Sequence, residues 1–162
     1  MTDRPTQPDG RVHGVIVGLV RPEDDRLLVI RRAQTVASPG KIAFPGGAVE
    51  ADEDRDAAAV REMREELGIE VDVRGPIWRR VFDDRPLTLW GYAGRWVSGE
   101  LAPDPSEVSE AMWMSADELR RCSDALSGSV AFAETVMTDD AEHRSGPAEG
   151  KRREGHFAVD GR

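Results

Sequence analysis

One stretch limits the possible folds more than any other: GAVEADEDRDAAAVREMREELGI, residues 47–69, entered through a loop that carries Pro39-Gly40 and Phe44-Pro45-Gly46-Gly47. Residues 54–67 are rich in Ala, Glu, Arg and Met, and Gly68 stands where a helix C-cap glycine belongs, so the pattern predicts a helix. Val60, Met63 and Leu67 recur at three- and four-residue spacing on one face, while Glu62, Glu65 and Glu66 gather on the next. One side packs and the other presents three carboxylates within a single turn. Like charges at that spacing cost a bare helix roughly 0.2–0.5 kcal/mol per pair. A hard, oxygen-seeking cation such as Mg²⁺ or Mn²⁺ relieves that repulsion.

The flanking sequence predicts strands. Residues 11–20 carry the β-branched run VIVGLV, residues 21–25 supply turn chemistry, and residues 27–30 make a second strand, a plausible hairpin. Beyond the helix, residues 70–82 and 87–97 read as strands around the turn cluster Asp83-Asp84-Arg85-Pro86, and residues 107–114 as a further one. Ser115 is placed to N-cap a short helix, with Glu118 completing a capping box. This order predicts an α/β fold, a mixed sheet covered by helices, with the acidic helix following the Gly/Pro-rich loop. Residues 1–10 read as a flexible N-terminus and residues 11–126 as the domain. From residue 127 onward Gly, Ser, Ala and mixed charge predict a weakly ordered or disordered tail over 127–162.

Charge and composition narrow the function. With 22 Lys+Arg against 31 Asp+Glu the formal charge is −9, which repels polymeric nucleic acid, yet carboxylate-held cations still admit small phosphorylated substrates. Cys122 is the single cysteine, so neither an intrachain disulfide nor a thiolate metal site is available. The N-terminus is polar, and no run approaches the ~18 apolar residues of a membrane span. A cytoplasmic location without membrane contact is expected. The tryptophans at 78, 90, 96 and 113 read as core or hairpin-packing residues.

The spacing within residues 47–69 carries a resemblance. Gly47, Glu53, Arg61-Glu62, apolar Met63, Glu65-Glu66, Gly68 and apolar Ile69 fill every fixed position of the Nudix box, and the segment is similar to that of the Nudix hydrolases. The resemblance implies the α/β/α Nudix sandwich. It also implies a metal-dependent hydrolase that cleaves a diphosphate linkage in a nucleoside diphosphate derivative. On the same ground Glu62, Glu65 and Glu66 are the expected Mg²⁺ or Mn²⁺ ligands, with the carbonyl of Gly46 completing the shell and Arg61 holding the glutamates by ion pairing. Glu53 corresponds to the first glutamate of the box, whose role varies between support and metal binding. The general base is expected on a mobile loop before Trp113, where Glu107 is favoured and Glu53 is its rival.

Substrate contacts are expected from Arg31, at the end of the second strand, and from Phe44 and Gly47 beside the box; Phe44 is equally a packing candidate. Residues 27–47 are similar to the stretch before the box in the coenzyme A diphosphatase branch, matching at Leu27, Leu28, Arg31, Gly40 and residues 44–47. They depart from it at Val29, Arg32 and Val36, where that branch carries polar groups. Coenzyme A-like molecules, nucleoside triphosphates and nucleotide sugars therefore stand as candidate substrates, and the resemblance admits a homodimer. The alternative function is a non-catalytic ligand-sensing Nudix domain, which usually lacks the box acids that are present here.

Overall fold

A computed structural model of the 162-residue chain describes residues 4–145 and 158–159. In chain order the elements are β1 (Val12–Arg21), β2 (Arg26–Arg32), β3 (Ile42–Ala43), β4 (Gly46–Ala48), α1 (Arg55–Leu67), β5 (Glu70–Val81), β6 (Leu87–Ser98), β7 (Val108–Met114), α2 (Ala116–Arg121), α3 (Ser129–Ser145) and β8 (Ala158–Val159). The predicted strands and the acidic helix are all present, and the sheet is mixed: β1 runs parallel to β6 and antiparallel to β2 and β4.

The architecture forks at β1. Along most of its length β1 pairs with β6 and β4, and only Val20 and Arg21 pair with β2, which carries β3 and β7 as its own neighbours. Successive strand residues point to opposite faces. Leu28 and Ile30 accordingly join Val15, Val17, Leu19 and Tyr92 in a core that takes in Ala59, Met63 and Leu67 of α1. Leu27 and Val29 join Ile42, Phe44, Trp78, Phe132 and Val136 in a second core. Four consecutive buried residues in β2 are thus the mark of a strand covered on both sides.

The second core corrects the expected tail. Residues 129–145 form α3, and Phe132, Ala133 and Val136 are buried. Two glycines make room for the helix: a Cβ at Gly91 would stand 2.4 Å from the Phe132 ring, and one at Gly18 would stand 2.5 Å from Val136. The helix escaped the sequence pattern because these apolar residues are spread among Glu, Thr and Asp, which dilute its amphipathic signal. Apart from β8, which pairs with Trp78 and Arg79 of β5, the tail after residue 145 lies outside the described residues.

The expected flexible N-terminus also has structure in residues 4–10. Gln7 N–H donates to Arg11 O at 2.8 Å, Thr6 bridges to Val12, and His13 Nε2 lies 2.8 Å from Asp9 Oδ2. No helix among the described residues is long and apolar enough to cross a membrane.

Candidate active site

Helix α1 is set between a glycine-rich strand and a loop. Gly68 closes it with φ +72°, the left-handed conformation a C-cap glycine adopts freely, and its N–H donates to Arg64 O at 2.9 Å. The first face of the helix packs, so Glu62 and Glu66, four residues apart, point together toward β4. Here backbone and carboxylate come into close approach. A Cβ on Gly47 would meet the Glu62 carboxylate at 2.4 Å, and Gly46 N–H donates to Glu66 Oε2 at 3.3 Å. Both box-entry glycines are therefore fixed by neighbours: Gly47 by Glu62, and Gly46 by the Val15 carbonyl, which would lie 1.9 Å from an added Cβ.

A third carboxylate arrives from outside the helix. One oxygen each from Glu62, Glu66 and Glu107 lies within 4.8 Å of the others. Glu66 is 3% exposed, while Glu107 is exposed. Burial, reinforced by the charges of Glu62 and Glu107, pushes the Glu66 carboxyl up to about 8. Burial likewise raises Glu62, with Arg61 opposing it. Such a group of hard oxygens short of positive charge suits a divalent cation better than any softer metal.

Glu65 stands apart from this trio. It is exposed and its Oε2 accepts from Arg61 Nη1 at 3.0 Å, because an i, i+3 step from Glu62 turns it off the Glu62–Glu66 line. Of the expected ligands Glu62, Glu65 and Glu66, the structure brings Glu62 and Glu66 together, and Glu107 stands beside them.

Arg61 is a hub of hydrogen bonds. Its guanidinium donates to both oxygens of Glu53 at 2.7 and 2.9 Å, to Glu62 at 3.0 Å and to the Ala48 carbonyl at 3.0 Å. Glu53 also accepts from Glu50 N–H at 3.0 Å, and the Arg61 guanidinium holds its carboxyl below the usual range. A carboxylate so well satisfied is a weak proton acceptor.

The two arginines ending β2 divide between the faces of the strand. Arg31, the favoured substrate contact, donates to Gly40 O at 2.8 Å and lies 3.4 Å from Asp124, so it braces the loop of residues 33–41. Arg32 lies on the other face, within electrostatic reach of Glu66 and Glu107, and donates to Ala37 O at 2.6 Å. Period-two alternation along β2 carried this signal: Arg32 shares parity with Leu28 and Ile30, the residues that face α1. Phe44 is 4% exposed and meets Phe132 edge-on at 4.7 Å between centroids. It packs inward and offers no surface to a substrate.

Two glutamates of a glycine-framed helix and a third from the loop before β7 thus form a group that could hold a metal ion, with Arg61 and Arg32 beside it. The NUDIX domain model matches residues 11–134, and the chain belongs to the Nudix hydrolase family, a family of pyrophosphohydrolases. It is 35% identical over 104 residues to an 8-oxo-dGTP diphosphatase of Escherichia coli, covering 62% of this chain and 78% of that protein. It is also 35% identical over 95 residues to the NAD-capped RNA hydrolase NudC of Pseudomonas aeruginosa, covering 59% of this chain but only 34% of that protein. The crystal structure of a MutT protein from Methanosarcina mazei superposes with a TM-score of 0.70 at 20% identity, covering 80% of this chain and 95% of that one, which supports the same fold.

Proposed function

We propose that this hydrolase uses Mg²⁺ or Mn²⁺ to cleave a nucleoside triphosphate into a nucleoside monophosphate and pyrophosphate. The observation that carries the reading is the meeting of Glu62, Glu66 and Glu107 within 4.8 Å beside the Gly46–Gly47 backbone. The similarity to the 8-oxo-dGTP diphosphatase favours a triphosphate over the larger candidates. Coenzyme A loses support because Arg31, part of the match to that branch, is bound to Gly40 and Asp124.

Glu62, Glu66 and Glu107 would hold the cation. When bound, it neutralises charge on the phosphate oxygens and acidifies water. Arg32 offers a guanidinium to the phosphate chain from the opposite wall. Arg61 orients Glu62 and opposes the upward shift that burial imposes on its carboxyl. Glu107, as the exposed member of the trio, is the carboxylate that solvent reaches and the one able to take a proton from the attacking water. The bond that breaks joins the α-phosphorus to the bridging oxygen, the new bond joins that phosphorus to the water oxygen, and pyrophosphate leaves with the electron pair.

The test is a panel of dGTP, 8-oxo-dGTP, ADP-ribose, NADH, a nucleotide sugar and coenzyme A, each with and without Mg²⁺ or Mn²⁺. Pyrophosphate and monophosphate should appear from a triphosphate, and only with metal. Turnover of none of the panel under any metal condition would favour the sensor alternative.

A further inference from the structure

The residue that brings Glu107 into the trio is separated from it by only two positions. Loop residues 99–107 are bonded to the end of α1, where Ala102 N–H donates to Leu67 O at 2.8 Å and Asp104 N–H donates to Glu66 O at 2.9 Å. These bonds take up carbonyls that a helix terminus otherwise leaves to solvent. Asp104 O in turn accepts from Glu107 N–H at 3.0 Å and Val108 N–H at 2.8 Å. Its side chain locks the turn between them, with Oδ1 accepting from Ser106 N–H at 3.0 Å and Ser106 Oγ at 2.8 Å. The opposite side of the loop is held by Ala33 N–H to Glu107 O at 2.9 Å and Thr35 Oγ1 to Ser106 O at 2.8 Å.

Glu66 and Glu107 are therefore joined through the backbone of a single residue, Asp104, while their carboxylates repel one another across the site. An exposed glutamate on an unrestrained loop would relax that repulsion by swinging outward. Its return would then cost cation affinity, because a donor set that is not preorganised must be assembled on binding. Hydrogen bonds hold the loop on both sides.

We propose that Asp104 is a positioning residue, which sets Glu107 against Glu62 and Glu66 by bracing the 104–107 turn onto the end of α1. It touches neither substrate nor cation and acts through Glu107. The proposal rests on the reading of the glutamate trio as a divalent-cation site.

The experiment titrates Mn²⁺ into the full chain without nucleotide and follows the free-ion signal by electron paramagnetic resonance. Asp104→Ala should weaken Mn²⁺ binding by about 10–100-fold, the usual loss when a group supporting a ligand is removed. Asp104→Asn should restore it, since its amide oxygen accepts the same bonds from Ser106. In turnover, Asp104→Ala should raise the Mn²⁺ concentration needed for half-maximal rate while leaving nucleotide KM at saturating Mn²⁺ unchanged. If Asp104→Ala binds Mn²⁺ like wild type while Glu107→Gln is weakened, Asp104 has no positioning role although the cation site stands. If Glu107→Gln itself binds like wild type, the trio is misassigned and the proposal falls with it. Should Asp104→Ala fail to fold, the double variant Thr35→Val, Ser106→Ala loosens the same turn from both sides. Wild-type Mn²⁺ affinity in that protein overturns the proposal, and a weakened affinity supports it.

Discussion

The Glu62 carboxylate lies directly against the Cα of Gly47, so closely that a methyl group there would stand 2.4 Å from the carboxylate carbon. The obstructing atoms are the end of a flexible side chain, and Gly47→Ala should therefore displace Glu62 without breaking the fold. Its neighbour behaves differently, because a methyl at Gly46 would press on the Val15 carbonyl at 1.9 Å, part of the β1 backbone. We expect Gly47→Ala to lose about 10–100-fold in metal-dependent activity with little change in Tm. Gly46→Ala should lose about 3 kcal/mol or more of stability. Thermal melts and metal titrations of the two variants separate these effects, and equal melting losses would contradict the assignment.

The arginines of β2 give a second contrast. Arg32→Ala should lower kcat/KM by about 10–100-fold, which corresponds to one charge-assisted hydrogen bond of 1.5–3 kcal/mol. Arg31→Ala should leave kcat/KM nearly unchanged and loosen the 33–41 loop, read as faster proteolysis there. The reverse pattern would restore the expectation made from the sequence.

A third prediction concerns pH in the metal-free protein. Glu66 has a folded-state pKa of about 8 against an ordinary value of 4.5, so between those values the folded chain holds a proton that the unfolded chain releases. Stability should then fall as pH rises through that window. Glu66→Gln carries no titrating group there, and its Tm should decline less between pH 5 and pH 8. Added Mn²⁺ should stabilise the wild type more at pH 8 than at pH 5, since the ligands must be ionised to bind it. Parallel Tm–pH curves for wild type and Glu66→Gln would count against this account.

Phe132 supplies a fourth test. Fully buried against Phe44, Trp78 and the open face of Gly91, it should cost about 3–5 kcal/mol when replaced by alanine. A chain cut before residue 129 should unfold or aggregate. Urea denaturation of both would show it, and a truncated protein with wild-type stability would mean that α3 is an ornament on the domain.

How much of this was legible follows from which interactions are local. The acidic helix, its Gly68 cap and the Ser115 cap, whose Oγ accepts from Glu118 N–H at 3.0 Å, are written within a few residues of chain and were read correctly. Glu62 and Glu66, expected as metal ligands, stand together in the structure. Glu107 was expected as the general base from its place before Trp113, but its approach to Glu62 and Glu66 runs through backbone bonds to Ala33 and, by way of Asp104, to Glu66, which no spacing reveals. Glu65, which the sequence groups with Glu62 and Glu66 within one helical turn, pairs with Arg61 instead. Arg31 was the favoured substrate contact, whereas alternation along β2 puts Arg32 on the face of Glu66 and Glu107. Phe132 and Val136 carry α3 with few apolar residues, and only the glycines of distant strands explain why so few suffice.

The forked strand has a further consequence. Val15 and Val17 have no exposed surface, and the hydrogen bonds of β1 serve β6 on one side and β4 and β2 on the other. Both wings lean on β1, the β6–β4 wing through most of its length and the β2 wing through Val20 and Arg21 and the shared core of Val15, Val17, Leu28 and Ile30. The amides of residues 14–19 should accordingly exchange with solvent only through complete unfolding, and the chain should melt in one cooperative step without a half-assembled intermediate. Glu62 and Glu66 ride on a helix packed against β1, β4 and β5, so local fraying reaches the site through the loop that carries Glu107.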